Sequence, residues 1–172
     1  MKKEIRFSGF GGQGVILMGH IFGEGAVLDG KDVTLTKSYG PEARGGACST
    51  DIIISDDRVR YPQVRDPDIL ISMSQSALET YVSELKDDGM LLIDTGLVES
   101  SRDAEGLSAT NIAEEELGLK MVANIVMLGY FTARTELVSK DSMEEAVAEL
   151  VPEGTEKKNL EAFNRGYEEV KK

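Results

Sequence analysis

The most constraining stretch of the chain is GFGGQG at residues 9–14, because it joins two segments of different periodicity. The run EIRFS before it has strand character. In VILMGHIFGEGAVLDG after it, apolar side chains recur at helical spacing until Gly30 ends the run. A strand, a tight glycine turn and a helix therefore follow one another. Gly9, Gly11 and Gly14 fit the G-x-G-x-x-G pattern. Glycines there allow positive φ and close approach of another group, and the first helical turn offers unpaired N–H groups and a positive dipole end. That combination suits a phosphate. It equally suits a structural purpose, in which Gly14 lets helix and sheet pack closely and Gly12 only shapes the turn. A nicotinamide site would need an acidic residue about 20 positions further on, at the end of the second strand, to hold the ribose. That strand ends in Thr36 and Lys37, while Asp29 and Asp32 lie at its other end. A P-loop is no better supported, since no Lys-Ser or Lys-Thr follows the glycines.

Further along, DVTLT reads as a second strand, KSYGPEARGG as a loop, and ACSTDIIIS and DPDILISM as strands. SQSALETYVSELKDDG reads as a helix capped near Ser74 or Ser76, MLLID as a strand, and LSAT as a possible last strand. Four segments after residue 110 favour helix: NIAEEELG, ANIVMLGYFTARTEL, SMEEAVAELV and EKKNLEAFNRGYEEVKK. The fold class expected is a three-layer α/β/α arrangement, a mostly parallel, Rossmann-like sheet with a helical C-terminal third, forming one domain over residues 1–172. ANIVMLGYF carries more apolar residues than one helix face buries, so an outward interface at Met127 or Tyr130 is expected.

A formal net charge of −12 opposes nonspecific binding to nucleic acid or to an anionic membrane. No segment approaches about 20 uninterrupted apolar residues, and no signal-peptide run precedes the glycines, so a cytoplasmic location is expected. Cys48 is the only cysteine, which cannot supply a disulfide or the ligand set of an iron–sulfur cluster. The lone His20 reads as a helix residue rather than a base, Asp94 as a crevice residue or a turn former, and Cys48 as a small buried hydrophobe. The second glycine cluster, SYGPEARGG, is expected on the same sheet edge as the first. There Tyr39 and Arg44, with Lys37 just before them, either meet a phosphorylated group or serve the loop's own structure.

Together, GFGGQGVILMG and SYGPEARGGACSTDIIIS resemble the gamma subunit of the 2-oxoacid:ferredoxin oxidoreductases. The resemblance continues through PDILISMSQSALETY, LKDDGMLLIDTGLV, ANIVMLGYF and NLEAFNRGYEEV, nearly the whole chain in order. It is closest to the 2-oxoglutarate enzymes, with pyruvate, branched 2-oxoacid and indolepyruvate enzymes as alternatives. The resemblance implies oxidative decarboxylation of a 2-oxoacid to an acyl-CoA with reduction of ferredoxin. It also implies alpha and beta partner subunits holding thiamine diphosphate and Mg²⁺, and a ferredoxin-like delta partner holding iron–sulfur clusters. This chain lacks the G-D-G segment and asparagine pair of a thiamine site, so it is expected to be inert alone. Its implied part is coenzyme A handling or closure of the active site, through Gly9, Gly11, Gly12, Gln13, Gly14, Lys37, Ser38, Tyr39, Arg44 and Gly45. A purely structural subunit and a stand-alone nucleotide-binding oxidoreductase are the alternatives.

Overall fold

A computed structural model describes residues 1–39 and 46–170. Six strands form one sheet in the order β2-β3-β1-β4-β5-β6. They are β1 (Lys2–Phe10), β2 (Asp32–Tyr39), β3 (Ala47–Ser55), β4 (Ile69–Ser72), β5 (Met90–Asp94) and β6 (Glu105–Leu107). The helices are α1 (Val15–Leu28), α2 (Gln75–Tyr81), the short α3 (Ala109–Asn111), α4 (Ala123–Thr135), α5 (Lys140–Leu150) and α6 (Glu156–Glu169). The Ser74 hydroxyl caps α2 by accepting from Ala77 N. The expected last strand lies two residues earlier than LSAT, at Glu105–Leu107.

The sheet is mixed. β1–β4, β4–β5 and β5–β6 pair in parallel, whereas β3 runs antiparallel to both β1 and β2. β2 and β3 thus form a hairpin, and β3 lies beside β1. β2 also runs further than DVTLT, so Lys37, Ser38 and Tyr39 belong to a strand rather than to the following loop.

Alternation along the strands separates two cores. Ile5 and Phe7 of β1, Ile52 and Ile54 of β3, and Ile69 and Ile71 of β4 face α1 and the C-terminal helices. Phe7, Phe22 and Phe131 meet there with ring centroids 5.0–5.8 Å apart. Leu70, Leu91 and Ile93 face the other way, onto Ala77, Leu78 and Tyr81 of α2. On that second face Arg6 is buried, paired in two-pronged fashion with Asp51 (2.7 and 2.9 Å), bonded to Glu84, and stacked 4.9 Å from the Tyr81 ring centroid.

Of the two residues expected to face outward on α4, Met127 does not: it is 0% exposed, because α6 covers that face, whereas Tyr130 is half-buried. Gly129 and Gly166 make that crossing possible: a Cβ on Gly129 would overlap the Phe163 carbonyl, and one on Gly166 the Val126 carbonyl. No helix among the described residues is long and apolar enough to cross a membrane.

Candidate functional site

The helix after β1 lies on one face of the sheet and the helix after β4 on the other, so the chain reverses its winding between these adjacent parallel strands. Crevices at the carboxyl ends of strands form at such a reversal. The glycine turn occupies it. Gly12 and Gly14 adopt left-handed φ of 105° and 74°, a region that strains any residue with a Cβ. Gln13 fixes the turn with both of its polar atoms. Its Oε1 accepts from Phe10 N at 3.0 Å and its Nε2 donates to the Met73 carbonyl at 2.7 Å, tying the end of β1 to the end of β4. A Cβ on Gly9 would come within 2.6 Å of Gln13 Oε1, so this residue must be glycine for the clamp to close. Gly11 and Gly12 have open space beside them. Gly14 instead meets Asn124, whose Nδ2 donates to the Gly14 carbonyl at 3.2 Å.

Beside the turn lies a cleft of about 330 Å³ lined by Phe10, Gly12, Gln13 and Met73 on one side and by Leu97, Thr110, Lys120 and Met121 on the other. Its walls are mostly apolar. Met121 is 84% exposed, and Phe10 and Leu97 are also solvent-facing, so the apolar strip continues out of the cleft. Among the described residues Lys120 is the one cation on its rim, 65% exposed and held only at 3.8 Å by Glu114. Lys120, Thr110, Leu97 and Met121 were not legible as site residues, because they reach the turn from three parts of the chain distant from it in sequence.

Of the second group of expected residues, Lys37, Ser38 and Tyr39 sit on the same sheet edge but outside this cleft. Gly9 and Tyr39 both pair with Cys48, from either side of β3, so β1 and β2 end level with each other. Tyr39 is 71% exposed, and Lys37 and Ser38 are exposed as well. Lys37 lies close enough to His20, an exposed residue of α1, to add to the lowering of the imidazole pKa that partial burial causes first. Arg44 and Gly45 fall outside the described residues.

Other candidates resolve into structure. Asp94 is fully buried, accepting from Gly96 N and from the Thr110 N–H and hydroxyl, and so forms the turn after β5. Cys48 is buried, which pushes its thiol pKa up. Among the described residues no three His, Cys, Asp or Glu side chains gather as a metal site. A nicotinamide is disfavoured on topology also. β3 occupies the place beside β1, so the end of β2 stands two strand spacings away, roughly 9–10 Å, beyond the reach a ribose contact needs.

A reversed-winding sheet with a clamped glycine turn and an amphipathic cleft at its carboxyl edge defines an α/β fold. The chain belongs to the pyruvate ferredoxin/flavodoxin oxidoreductase family, whose pattern it matches over residues 4–169. It is 50% identical to the 2-oxoglutarate synthase subunit KorC of Methanocaldococcus jannaschii over 178 residues, 99% of this chain and 95% of that one. The solved gamma subunit of a keto/oxoacid ferredoxin oxidoreductase from Geobacter sulfurreducens is 41% identical and superposes with a TM-score of 0.88 over 98% of this chain and 95% of that one. The 2-oxoglutarate:ferredoxin oxidoreductase of Magnetococcus marinus, solved with 2-oxoglutarate, coenzyme A and succinyl-CoA bound, shares the fold (TM-score 0.87, 21% identity, 99% of this chain and 31% of that one).

Proposed function

We propose that this chain is the gamma-type subunit of a cytoplasmic 2-oxoglutarate:ferredoxin oxidoreductase, acting as one domain that helps receive coenzyme A and close the active site. The complex oxidatively decarboxylates 2-oxoglutarate, joins the acyl group to coenzyme A and passes two electrons to ferredoxin. Thiamine diphosphate and Mg²⁺ belong to the alpha and beta subunits and the iron–sulfur clusters to a ferredoxin-like delta subunit. A single buried cysteine suits neither group. The nearly full-length likeness to KorC supports the 2-oxoglutarate assignment.

The observation that carries the coenzyme A reading is the cleft at the winding reversal. Its apolar walls suit a flexible arm, its positive-φ glycine backbone permits close approach, and Lys120 supplies a fixed charge for an anionic group. Lys37, at the neighbouring strand end, would add charge from the other side of the same edge, and Arg44, seven residues further along the sequence, is the other cation the sequence offers. In the assembled enzyme, Lys120→Ala and Arg44→Ala are each expected to raise the Michaelis constant for coenzyme A about tenfold to a hundredfold, the worth of one charge-assisted hydrogen bond. The Michaelis constant for 2-oxoglutarate and the subunit stoichiometry stay unchanged. Unchanged coenzyme A dependence in both variants would leave the purely structural reading in its place.

A further inference from the structure

The edge of the sheet opposite the glycine turn carries a feature that ligand handling does not use. β3 ends and β4 begins there, and the irregular strap of residues 56–68 between them is pinned at both ends. Asp56 N donates to the Met1 carbonyl at 3.0 Å, Val59 N to Asp32 Oδ2 at 2.6 Å, and Asp68 N to the Glu4 carbonyl at 2.7 Å, while Val64 and Pro67 are buried. The strap is therefore anchored at its ends and through the buried Val64, and it carries Arg58, Arg60 and Arg65 in solvent near Tyr61, which is 81% exposed.

The other described arginines are all engaged. Arg6 is held by Asp51 and Glu84, Arg102 by the Leu85 and Asp87 carbonyls, Arg134 by Glu105, and Arg165 by Glu116 and Glu169. Arg58, Arg60 and Arg65 have no ion pair or hydrogen bond among the described residues. Beside Tyr61 and Arg65 lies an open groove of about 450 Å³ that also admits Lys2 and Lys86, each already paired with a carboxylate, and the exposed Asp66. The strap's other exposed acids are Asp56, taken by the N-terminus and Lys31, and Asp57.

We propose that this strap is an assembly contact, docking onto a carboxylate-rich surface of another subunit of the same enzyme. The inference rests on the subunit reading given above. Arginine and tyrosine are the residues enriched where protein interfaces are desolvated, whereas lysine is depleted there. A guanidinium fork also pairs carboxylates in two-pronged fashion. A permanent neighbour fits better than a mobile acidic carrier: at long range the net charge of −12 repels an acidic protein, and only a contact held at short range benefits from three local arginines.

The test is co-expression with the other subunits, purification through a tag on one of them, and native mass measurement at 0.15 M and 0.5 M salt. Replacing all three (Arg58→Ser, Arg60→Ser, Arg65→Ser) is expected to weaken association about a hundredfold, so that the chain is lost from the complex. Raising the salt should weaken the wild-type complex in the same direction, and the thermal midpoint of the free chain should not move. Should the triple variant lower that midpoint, Arg60→Glu alone gives the same readout with one exposed change. Retention of the variant at wild-type stoichiometry overturns the proposal. So does intact assembly accompanied by a raised Michaelis constant for ferredoxin, which would assign the strap to the mobile carrier, or by a loss of binding to anionic vesicles or polynucleotide. A wild-type chain that enters no complex would overturn the subunit reading together with the strap.

Discussion

Gly14 offers a sharp test of what the glycine turn is for, because its two constraints can be separated. Its φ of 74° is left-handed, which costs a residue with a Cβ about 1–2 kcal/mol. An alanine Cβ would in addition overlap the Asn124 amide, which is buried and bonded on both sides: Nδ2 to the Gly14 carbonyl and Oδ1 to Ile125 N at 2.9 Å. Overpacking of such a site costs about 1–3 kcal/mol. Gly14→Ala should therefore destabilise the chain by about 2–5 kcal/mol, a fall in thermal midpoint of roughly 5–15 °C for a domain of this size. Gly12→Ala is the control. Its φ of 105° imposes strain of the same order, but open space surrounds it, so only the strain is felt. Calorimetry on the two variants, and on Gly14→Ala in an Asn124→Ala background, separates the terms. In that background the cost of Gly14→Ala should fall to the strain alone, about 1–2 kcal/mol. Equal midpoints for the Gly12 and Gly14 variants, or no coupling to Asn124, would refute the claim that Gly14 is fixed by packing against α4.

Gly12→Val should reduce turnover of the assembled enzyme more than it reduces the thermal midpoint, since its Cβ enters the mouth of the cleft; equal losses in both measurements would count against a ligand there. Arg6→Ala should cost about 3 kcal/mol in denaturant unfolding, because Asp51 is left in a largely buried site without its partner. Burial raises the Asp29 pKa, but hydrogen bonds from Ser142 and Ser139, and Lys31, outweigh it and hold the value below the usual carboxylate range. A depressed folded-state pKa means that this contribution is complete above the unfolded value of about 3.9 and is lost as pH falls through the folded value. Asp29→Asn should therefore flatten the stability profile below about pH 4, and an unchanged acid limb would show that the link from α1 to α5 carries no such term.

The parts of the fold legible in sequence are those fixed locally. The strand–turn–helix around Gly9 to Gly14, the continuous apolar run of β4 and the serine cap of α2 each carry their signal within a few residues. The orientation of β3 was legible in principle. Seven residues separate Tyr39 from Ala47, too few for the crossover of a dozen or more that a parallel partner requires, so the pair had to be a hairpin. Even with Lys37–Tyr39 counted as loop, ten residues remain between Thr36 and Ala47, still too few. The burial of Met127 was not legible, because it depends on glycines in α4 and α6 that let the two helices meet backbone to backbone. Nor was the Arg6 network, whose partners lie 45 and 78 residues away.

At the site, the turn was legible and the cleft was not, for a physical reason. A turn is made by one segment, whereas the cleft gathers residues that follow β1, β4 and β5 and precede α4. The distinction bears on how the chain works. Gln13 gives one donor and one acceptor site of its amide to the fold, as Asn124 does at the other end of the turn, which fixes both side chains and leaves each a single N–H and lone pair for a ligand. What the cleft still offers is backbone, apolar wall and one weakly held lysine. Those suffice to orient an amphipathic arm but give little affinity, since a single charge-assisted bond is worth only about 1.5–3 kcal/mol. On the coenzyme A reading proposed above, a cleft so furnished, with Met121, Phe10 and Leu97 left in solvent at its mouth, would act as one wall of a larger site, the opposite wall coming from a subunit that covers those apolar side chains.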